Sequence, residues 1–236
     1  TASIFQTTDW GKPMQSDEGL PEGNDRFRFE RCLSLLAAQG VDIAPKSDWL
    51  DLGCHQGQFL RMLIRRHGVR AVGFDGWDEA LRTPEPGPHW DYRKADLEHE
   101  LPWDTPAQFI SAFEVLEHMV DTDGFLRRIF DRLMPGGWAL FSTPNINSLR
   151  NRITVPLGIY PTGLEYRNVI HHVRLYNTST LMRHLRDTGF ERIAIRGVAF
   201  LPFSSPYGES WLSARLANSL PSLCSNIIAV ARKPSV

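Results

Sequence analysis

Short apolar stretches alternate with amphipathic stretches along most of the chain, and this alternation restricts the fold more than any other feature. The apolar stretches predicted as strands are "DWLDLG", "VRAVGFDG", "AQFISAF" and "WALFSTPN", with a weaker one at "DYRKAD". Amphipathic helices are predicted between them at "QFLRMLIRRHG" and at residues 124–137. Strands that alternate with helices favour a three-layer α/β sandwich with a mainly parallel sheet.

The remaining segments flank this alternating region. A helix is predicted over residues 26–40, another at "TSTLMRHLRDTGF", and strands near residues 191–199 and 225–232. A chain of 236 residues is long enough for one domain with a sizeable core. We therefore predict a single domain over residues 1–236, with a helical cap segment at 1–45 and an irregular substrate-side insertion at 146–176.

Charge and cysteine content indicate which binding partners and which cellular compartment to expect. The formal net charge is −1, so the whole chain has no electrostatic attraction for nucleic acid or anionic lipid. Three cysteines lie far apart without a C-x-x-C motif, which favours a reduced, cytoplasmic protein. The sequence contains no apolar run long enough for a transmembrane helix and shows no signal-peptide pattern.

The first strand ends in a glycine turn that favours a ligand site. Asp51, Gly53 and Gly57 form D-x-G-x-x-x-G, and glycine there lets the backbone approach a ligand closely. A dinucleotide motif would require glycine where His55 and Gln58 stand, which speaks against a nicotinamide-dependent oxidoreductase. Taken alone, such a turn can also simply join a strand to a helix.

Acidic residues follow the next two predicted strands. Because ligands of such sheets bind beyond the carboxyl ends of the strands, Asp75 is placed to accept the two hydroxyls of a ribose. Asp96 could receive an adenine amino group while Leu97 packs on the ring. Solvated turn acids are the alternative for both aspartates.

Several motifs in order resemble class I S-adenosylmethionine-dependent methyltransferases, most closely the ubiquinone-pathway O-methyltransferases. They are "LDLGCHQG", "VGFDG", "KADLEHELPW", "FEVLEHM", "LMPGGWALFSTPN" and "HHVRLYNTSTLMRHLRDTGF", within about residues 47–195. The resemblance implies a Rossmann-like, seven-stranded, mainly parallel sheet with an antiparallel last strand. It also implies S-adenosyl-L-methionine as the cofactor, and the residues that it assigns to this cofactor are Asp51, Gly53, His55, Gly57, Asp75, Gly76, Asp96, Leu97 and Phe113.

By this resemblance, Asp51 and the two glycines border the methionine end, Asp75 holds the ribose, Asp96 and Leu97 flank adenine, and Phe113 lines the methyl-donor pocket. His55 departs from the family, which usually has glycine there. Histidine is among the non-glycine residues more often found at positive φ, so we expect the turn to survive. The competing hypothesis is a degenerate pocket that binds the cofactor weakly or not at all.

A second set of residues suggests the chemistry. Glu114, Glu117 and His118 have the spacing that places them on one helical face, and His171 and His172 follow downstream. With the first of these two histidines, they resemble the divalent-metal site of the plant small-RNA 2′-O-methyltransferase, which implies Mg²⁺ or Mn²⁺ as a Lewis acid. A metal-free general base among His118, His171 and His172, assisted by Glu114, is the second interpretation. Purely structural roles are the third.

We therefore predict methylation of a small molecule, with a sugar, phenol or lipid-linked hydroxyl as acceptor. Histidines near the site suggest that the methylated atom is oxygen, because transfer to a hydroxyl is accelerated most by a general base. An RNA 2′-O-methyltransferase is the alternative, which the near-neutral charge disfavours. The apolar segment 198–216 could form a second wall of the site, a homodimer contact or a membrane-surface patch.

Overall fold

The architecture comes from a computed structural model, which describes residues 23–76, 90–161, 172–205 and 208–235. The strands are β1 (Asp48–Leu52), β2 (Arg70–Asp75), β3 (Trp90–Lys94), β4 (Ala107–Phe113), β5 (Leu133–Pro144), β6 (Glu191–Val198), β7 (Ser204–Ser205), β8 (Gly208–Glu209) and β9 (Asn226–Arg232). The helices are α1 (Gly23–Ala37), α2 (Gln58–His67), α3 (Thr122–Arg132), α4 (Leu149–Thr154), α5 (Thr178–Thr188) and α6 (Trp211–Ser219). Short 3₁₀ turns lie at Leu116–His118, Val155–Leu157 and Pro221–Leu223.

Seven strands form one sheet in the order β3-β2-β1-β4-β5-β9-β6. Strands β1 to β5 pair in parallel, whereas β9 is antiparallel to both β5 and β6. The predicted seven-stranded, mainly parallel sheet with an antiparallel last strand is therefore confirmed. Because β1 to β5 run in one direction, their carboxyl ends meet at one edge of the sheet.

Each face of the sheet has its own apolar core, which gives the molecule its three layers. On one face, α3 and α5 pack through Phe125, Ile129 and Leu185 against the sheet. On the other face, α1 and α2 pack through side chains such as Leu36 and Leu63. Strands buried on both faces explain the nearly continuous apolar runs in the sequence.

Local signals set the ends of the helices that border the site. Helix α2 ends at Gly68, which has φ 63° and donates its amide to the carbonyl of Ile64. Helix α5 begins with a capping box in which Asn177 and Thr180 satisfy each other's backbone amides. Within the described parts of the chain, no helix combines the length and the apolar character needed to cross a membrane.

Three sequence predictions differ from the structure. The helix predicted over 124–137 ends at Arg132, and the Pro-Gly-Gly stretch belongs to the start of β5. The insertion at 146–176, predicted as irregular, contains α4, which Ser148 caps; residues 162–171 lie outside the described residues. In the apolar segment 198–216, Ser210 caps α6, a helix that the sequence analysis missed.

Candidate active site

A cavity of about 860 Å³ opens where the carboxyl ends of β1, β2, β3 and β4 meet. This volume is within the range of roughly 300–1,000 Å³ that is usual for small-molecule sites. Eight of the nine residues predicted to hold the cofactor line it, and Gly57 is the exception; the eight are Asp51, Gly53, His55, Asp75, Gly76, Asp96, Leu97 and Phe113. The structure therefore gathers the predicted strand-end residues around one space.

The turn after β1 depends on left-handed backbone conformations at three residues. Gly53, His55 and Gly57 have φ of 72°, 46° and 69°. A Cβ atom on Gly53 would lie 2.5 Å from the side chain of Val115, so glycine is required there. The positive φ expected at His55 is confirmed. Its backbone amide donates a 2.8 Å hydrogen bond to Oδ2 of Asp75, which joins the turn to the end of β2.

Asp51 lies beneath this turn and is nearly inaccessible, with 3% of its surface exposed. The Ser111 hydroxyl donates to its Oδ1 at 2.6 Å, and the indole of Trp49 donates to the same hydroxyl oxygen at 2.9 Å. Burial raises the pKa of Asp51 to about 7, with a smaller upward contribution from Asp75, although the Ser111 hydrogen bond opposes the rise. A cation placed above the turn would favour the ionised carboxylate.

Asp96 also lines the cavity and lies in an exposed loop after β3. His99 hydrogen-bonds its Oδ2 at 2.8 Å, which holds the pKa of Asp96 below its ordinary value. Arg128 of α3 fixes the loop, since it donates to the carbonyls of Leu97 and Glu98 at 3.0 and 2.7 Å. The carboxylate of Asp96 is thus presented to the cavity by a loop with defined anchors.

Glu114 does not share a helical face with Glu117 and His118, so this sequence prediction is wrong. Strand β4 continues to Phe113, and Glu114 follows it with φ 55° before the short 3₁₀ turn begins. Its carboxylate accepts hydrogen bonds from Ser142 at 2.7 Å and Asn226 at 2.9 Å. Glu114 still lines the cavity, but in this conformation its side chain is engaged by the ends of β5 and β9.

Glu117, His118 and His172 form the group whose side chains do converge. One ligand atom from each lies within 4.8 Å of the others, and the two imidazole rings meet edge to face with centroids 4.9 Å apart. Glu117 is buried and accepts from the Thr143 hydroxyl at 3.1 Å, which leaves its Oε1 without a hydrogen bond among the described residues. Burial, followed by the charge of Glu114, raises the pKa of Glu117 well above its ordinary value.

The group differs in part from the predicted metal set of Glu114, Glu117, His118 and His171. His172 takes part, Glu114 does not, and His171 lies outside the described residues. His118 also lines the cavity. It therefore joins this group to the cavity lined by the residues predicted to hold the cofactor.

Helix α1 supplies cavity residues that the sequence analysis missed: Asp25, Arg28 and Phe29. Arg28 forms a 3.0 Å ion pair with Glu114. Phe29 packs against Phe59 and Phe113, with ring centroids 4.8 and 5.1 Å away. The sequence analysis predicted a helical cap segment at 1–45, but it did not indicate which of its side chains would reach the cavity.

The family model and the similar sequences both identify methyltransferases. A family described as a methyltransferase domain matches residues 25–195. The ubiquinone biosynthesis O-methyltransferase of Nitrosospira multiformis is 29% identical over 167 residues, which cover 68% of this chain and 69% of that protein. The enzyme of the same name from Bordetella pertussis is 29% identical over 168 residues, with the same coverage of 68% and 69%.

Solved structures share the fold at lower identity. The Haloferax volcanii putative methyltransferase, solved in complex with the Trm112 methyltransferase activator, has a TM-score of 0.62 at 18% identity and covers 89% of this chain and 93% of its own. The Haemonchus contortus phosphoethanolamine N-methyltransferase 2 in complex with S-adenosyl-L-methionine has a TM-score of 0.60 at 17% identity, with coverage of 87% and 52%. At these identities the likeness concerns the fold alone.

Proposed function

Since this chain belongs to the methyltransferase domain family and is an S-adenosylmethionine-dependent methyltransferase, we propose that it methylates a hydroxyl oxygen of a small molecule. The observation that carries the proposal is the position of His118, which lines the cofactor cavity and also contacts His172. An imidazole at this place can remove a proton from an acceptor that enters beside the methyl donor. An amine acceptor would need this help less.

The cavity suits the proposed cofactor in shape and charge. Asp75 receives the ribose hydroxyls, Asp96 the adenine amino group, and Asp51 the cationic amino group of the methionine portion. Arg28 and Lys94 are the cations among the described lining residues, and Arg28, which pairs with Glu114 beside Phe113, is assigned to the carboxylate of the methionine portion. The three contacting phenyl rings of α1, α2 and β4 offer π-faces to the sulfonium end.

The proposed reaction is an in-line displacement at the methyl carbon. The acceptor O–H proton passes to the His118 imidazole while the oxygen forms a bond to the methyl carbon. The carbon–sulfur bond breaks, and its electron pair stays on sulfur to give S-adenosylhomocysteine. Alignment of the acceptor oxygen with the methyl carbon and sulfur can contribute roughly 7–11 kcal/mol, and the base roughly a further 10²–10⁴-fold.

The test combines ligand binding with turnover. Calorimetry should show S-adenosylhomocysteine binding, and a screen of phenols, sugars and lipid-linked alcohols should reveal methyl release to oxygen. Matched amines in place of the alcohols serve as the control. Absence of S-adenosylhomocysteine binding at millimolar ligand would contradict the cofactor site, and transfer to the amines alone would contradict the acceptor class.

A divalent ion is the second candidate, because the buried Oε1 of Glu117 makes no hydrogen bond among the described residues. Glu117, His118 and His172 would hold Mg²⁺ or Mn²⁺ as one carboxylate and two imidazole ligands. Such an ion supplies Lewis acidity that lowers the pKa of an acceptor hydroxyl. Chelation followed by re-addition of Mg²⁺ decides between the two: turnover that persists without metal supports the free base, and turnover that is lost and restored supports the ion.

A further inference from the structure

Residues 172–176 are here called the strap. They begin at His172, which with Glu117 and His118 forms the proposed catalytic group, and they lead to α5. At one end, the carbonyl of Glu117 accepts hydrogen bonds from the amides of Val173 and Arg174 at 2.8 and 3.1 Å. At the other end, the amide of Ile146 donates to the carbonyl of Tyr176 at 2.9 Å. The strap contains no helix and only an isolated bridge, so such contacts set the position of His172, its first residue.

A chain of side-chain hydrogen bonds anchors the far end of the strap. Tyr176 is only 5% exposed, and its hydroxyl lies 2.9 Å from Nδ1 of His184 in α5. Nε2 of the same imidazole lies 2.9 Å from Oδ1 of Asp123 in α3. The strap is thereby attached to the two helices that cover this face of the sheet.

The carboxylate of Asp123 determines one proton position in this chain. A carboxylate only accepts, so Nε2 of His184 carries the proton that is shared with Asp123. Nδ1, the other ring nitrogen, shares a hydrogen bond with the Tyr176 hydroxyl. The imidazole thus links this hydroxyl to Asp123, and the link fixes the orientation of the Tyr176 ring.

We infer that Tyr176 and His184 are positioning residues that hold His172 against His118 and Glu117. Phenylalanine would fill the space of Tyr176 equally well, yet a buried hydroxyl is tolerated only where it is hydrogen-bonded. The hydrogen bond of the buried hydroxyl therefore indicates that Tyr176 has an orienting role in addition to filling space. Neither residue lines the cavity, so their effect is on the transfer step and not on cofactor binding. The inference rests on the proposed function, because it assigns His172 to the catalytic group.

Steady-state kinetics of Tyr176→Phe and His184→Ala test this inference. Each substitution should lower kcat about tenfold, since small displacements of catalytic groups are costly, and leave the Kd of S-adenosylhomocysteine within about twofold. The double variant should lose no more than the worse single variant, because the chain is already broken. His184→Asn should retain more activity than His184→Ala, since its amide group can keep a hydrogen bond to the Tyr176 hydroxyl in place of Nδ1.

Tyr92→Phe is the matched control, because Tyr92 lies on the edge strand β3 outside the cavity lining. It should keep the wild-type kcat. Unchanged kcat in both test variants would overturn the inference, and so would a parallel loss of kcat and cofactor affinity, which indicates a structural role. His172→Ala separates the proposed function from the positioning role. If this variant keeps the wild-type kcat, the catalytic assignment of His172 fails as well. If its kcat is low while Tyr176→Phe and His184→Ala have normal kcat, only the positioning role is overturned.

Discussion

The backbone amide of His55 donates a 2.8 Å hydrogen bond to the carboxylate of Asp75, and this contact joins two neighbouring strand ends at the candidate active-site cavity. A histidine with φ 46° therefore occupies the turn without disrupting it. The same carboxylate retains further lone pairs for a ribose hydroxyl. The residue that departs from the family and the residue proposed to bind the ribose thus belong to one structural unit.

Asp75→Ala should weaken binding of S-adenosylhomocysteine by about 1.5–3 kcal/mol, because it removes a charged acceptor from two hydroxyls. Calorimetry measures the change. Asp91→Ala is the control, since Asp91 lies on the neighbouring strand β3, outside the cavity lining. Equal affinities of the Asp75→Ala variant and the wild type would remove the ribose assignment.

Substitutions at His55 should separate backbone strain from obstruction of the pocket. His55→Val should lower the free energy of unfolding by about 1–3 kcal/mol, because a β-branched residue is strained at positive φ. His55→Gly should leave the unfolding free energy within about 1 kcal/mol. Urea denaturation measures both.

Cofactor affinity of the glycine variant then addresses the degenerate-pocket hypothesis. We expect His55→Gly to bind S-adenosylhomocysteine within about threefold of the wild type, since the histidine backbone already adopts the required conformation. A gain above about tenfold (about 1.4 kcal/mol) would show that the imidazole obstructs the site.

The ionisation of Asp51 should make stability depend on pH in the absence of cofactor. Its folded-state pKa is about 7 and its ordinary value is 3.8, so between these values the folded protein keeps a proton that the unfolded chain has lost. This group therefore stabilises the fold less as pH rises through that window. Between about pH 5 and about pH 7.5, the wild type should lose about 2–3 kcal/mol relative to Asp51→Asn.

Urea unfolding at several pH values measures this difference, and other ionisable groups cancel between the two proteins. Ser111→Ala is the matched variant: it removes the hydrogen bond that favours the carboxylate, so it should raise the pKa of Asp51 further and extend the loss to higher pH. Parallel pH profiles for the wild type and Asp51→Asn would contradict a buried, protonated carboxyl.

The convergence of the residues predicted to hold the cofactor was largely predictable from the sequence. Asp51 and Asp75 end consecutive parallel strands, and parallel strands place their carboxyl ends at one edge whatever the side-chain details. The position of Glu114 was mispredicted because its spacing from Glu117 and His118 suits a helix. In the structure, β4 continues to Phe113, and Glu114 itself adopts a left-handed conformation that separates the strand from the 3₁₀ turn. Spacing alone carries no information about such a break.

Contacts that depend on tertiary packing were not predictable. Arg28 reaches Glu114 from α1, where the neighbouring Phe29 packs against Phe113. Asn226 of β9 donates to the same carboxylate, although it is far away in sequence. The sequence contains the elements that carry these residues, but the angle at which α1 crosses the sheet is set by the whole core.

His118→Ala should lower kcat about 10²-fold and leave the Kd of S-adenosylhomocysteine within about twofold, because a general base acts on the acceptor proton in the transition state. His67→Ala is the control histidine, since it ends α2 outside the cavity lining. Equal losses of kcat and cofactor affinity would instead mean that the ring supports the pocket wall, since a base has no part in binding the cofactor.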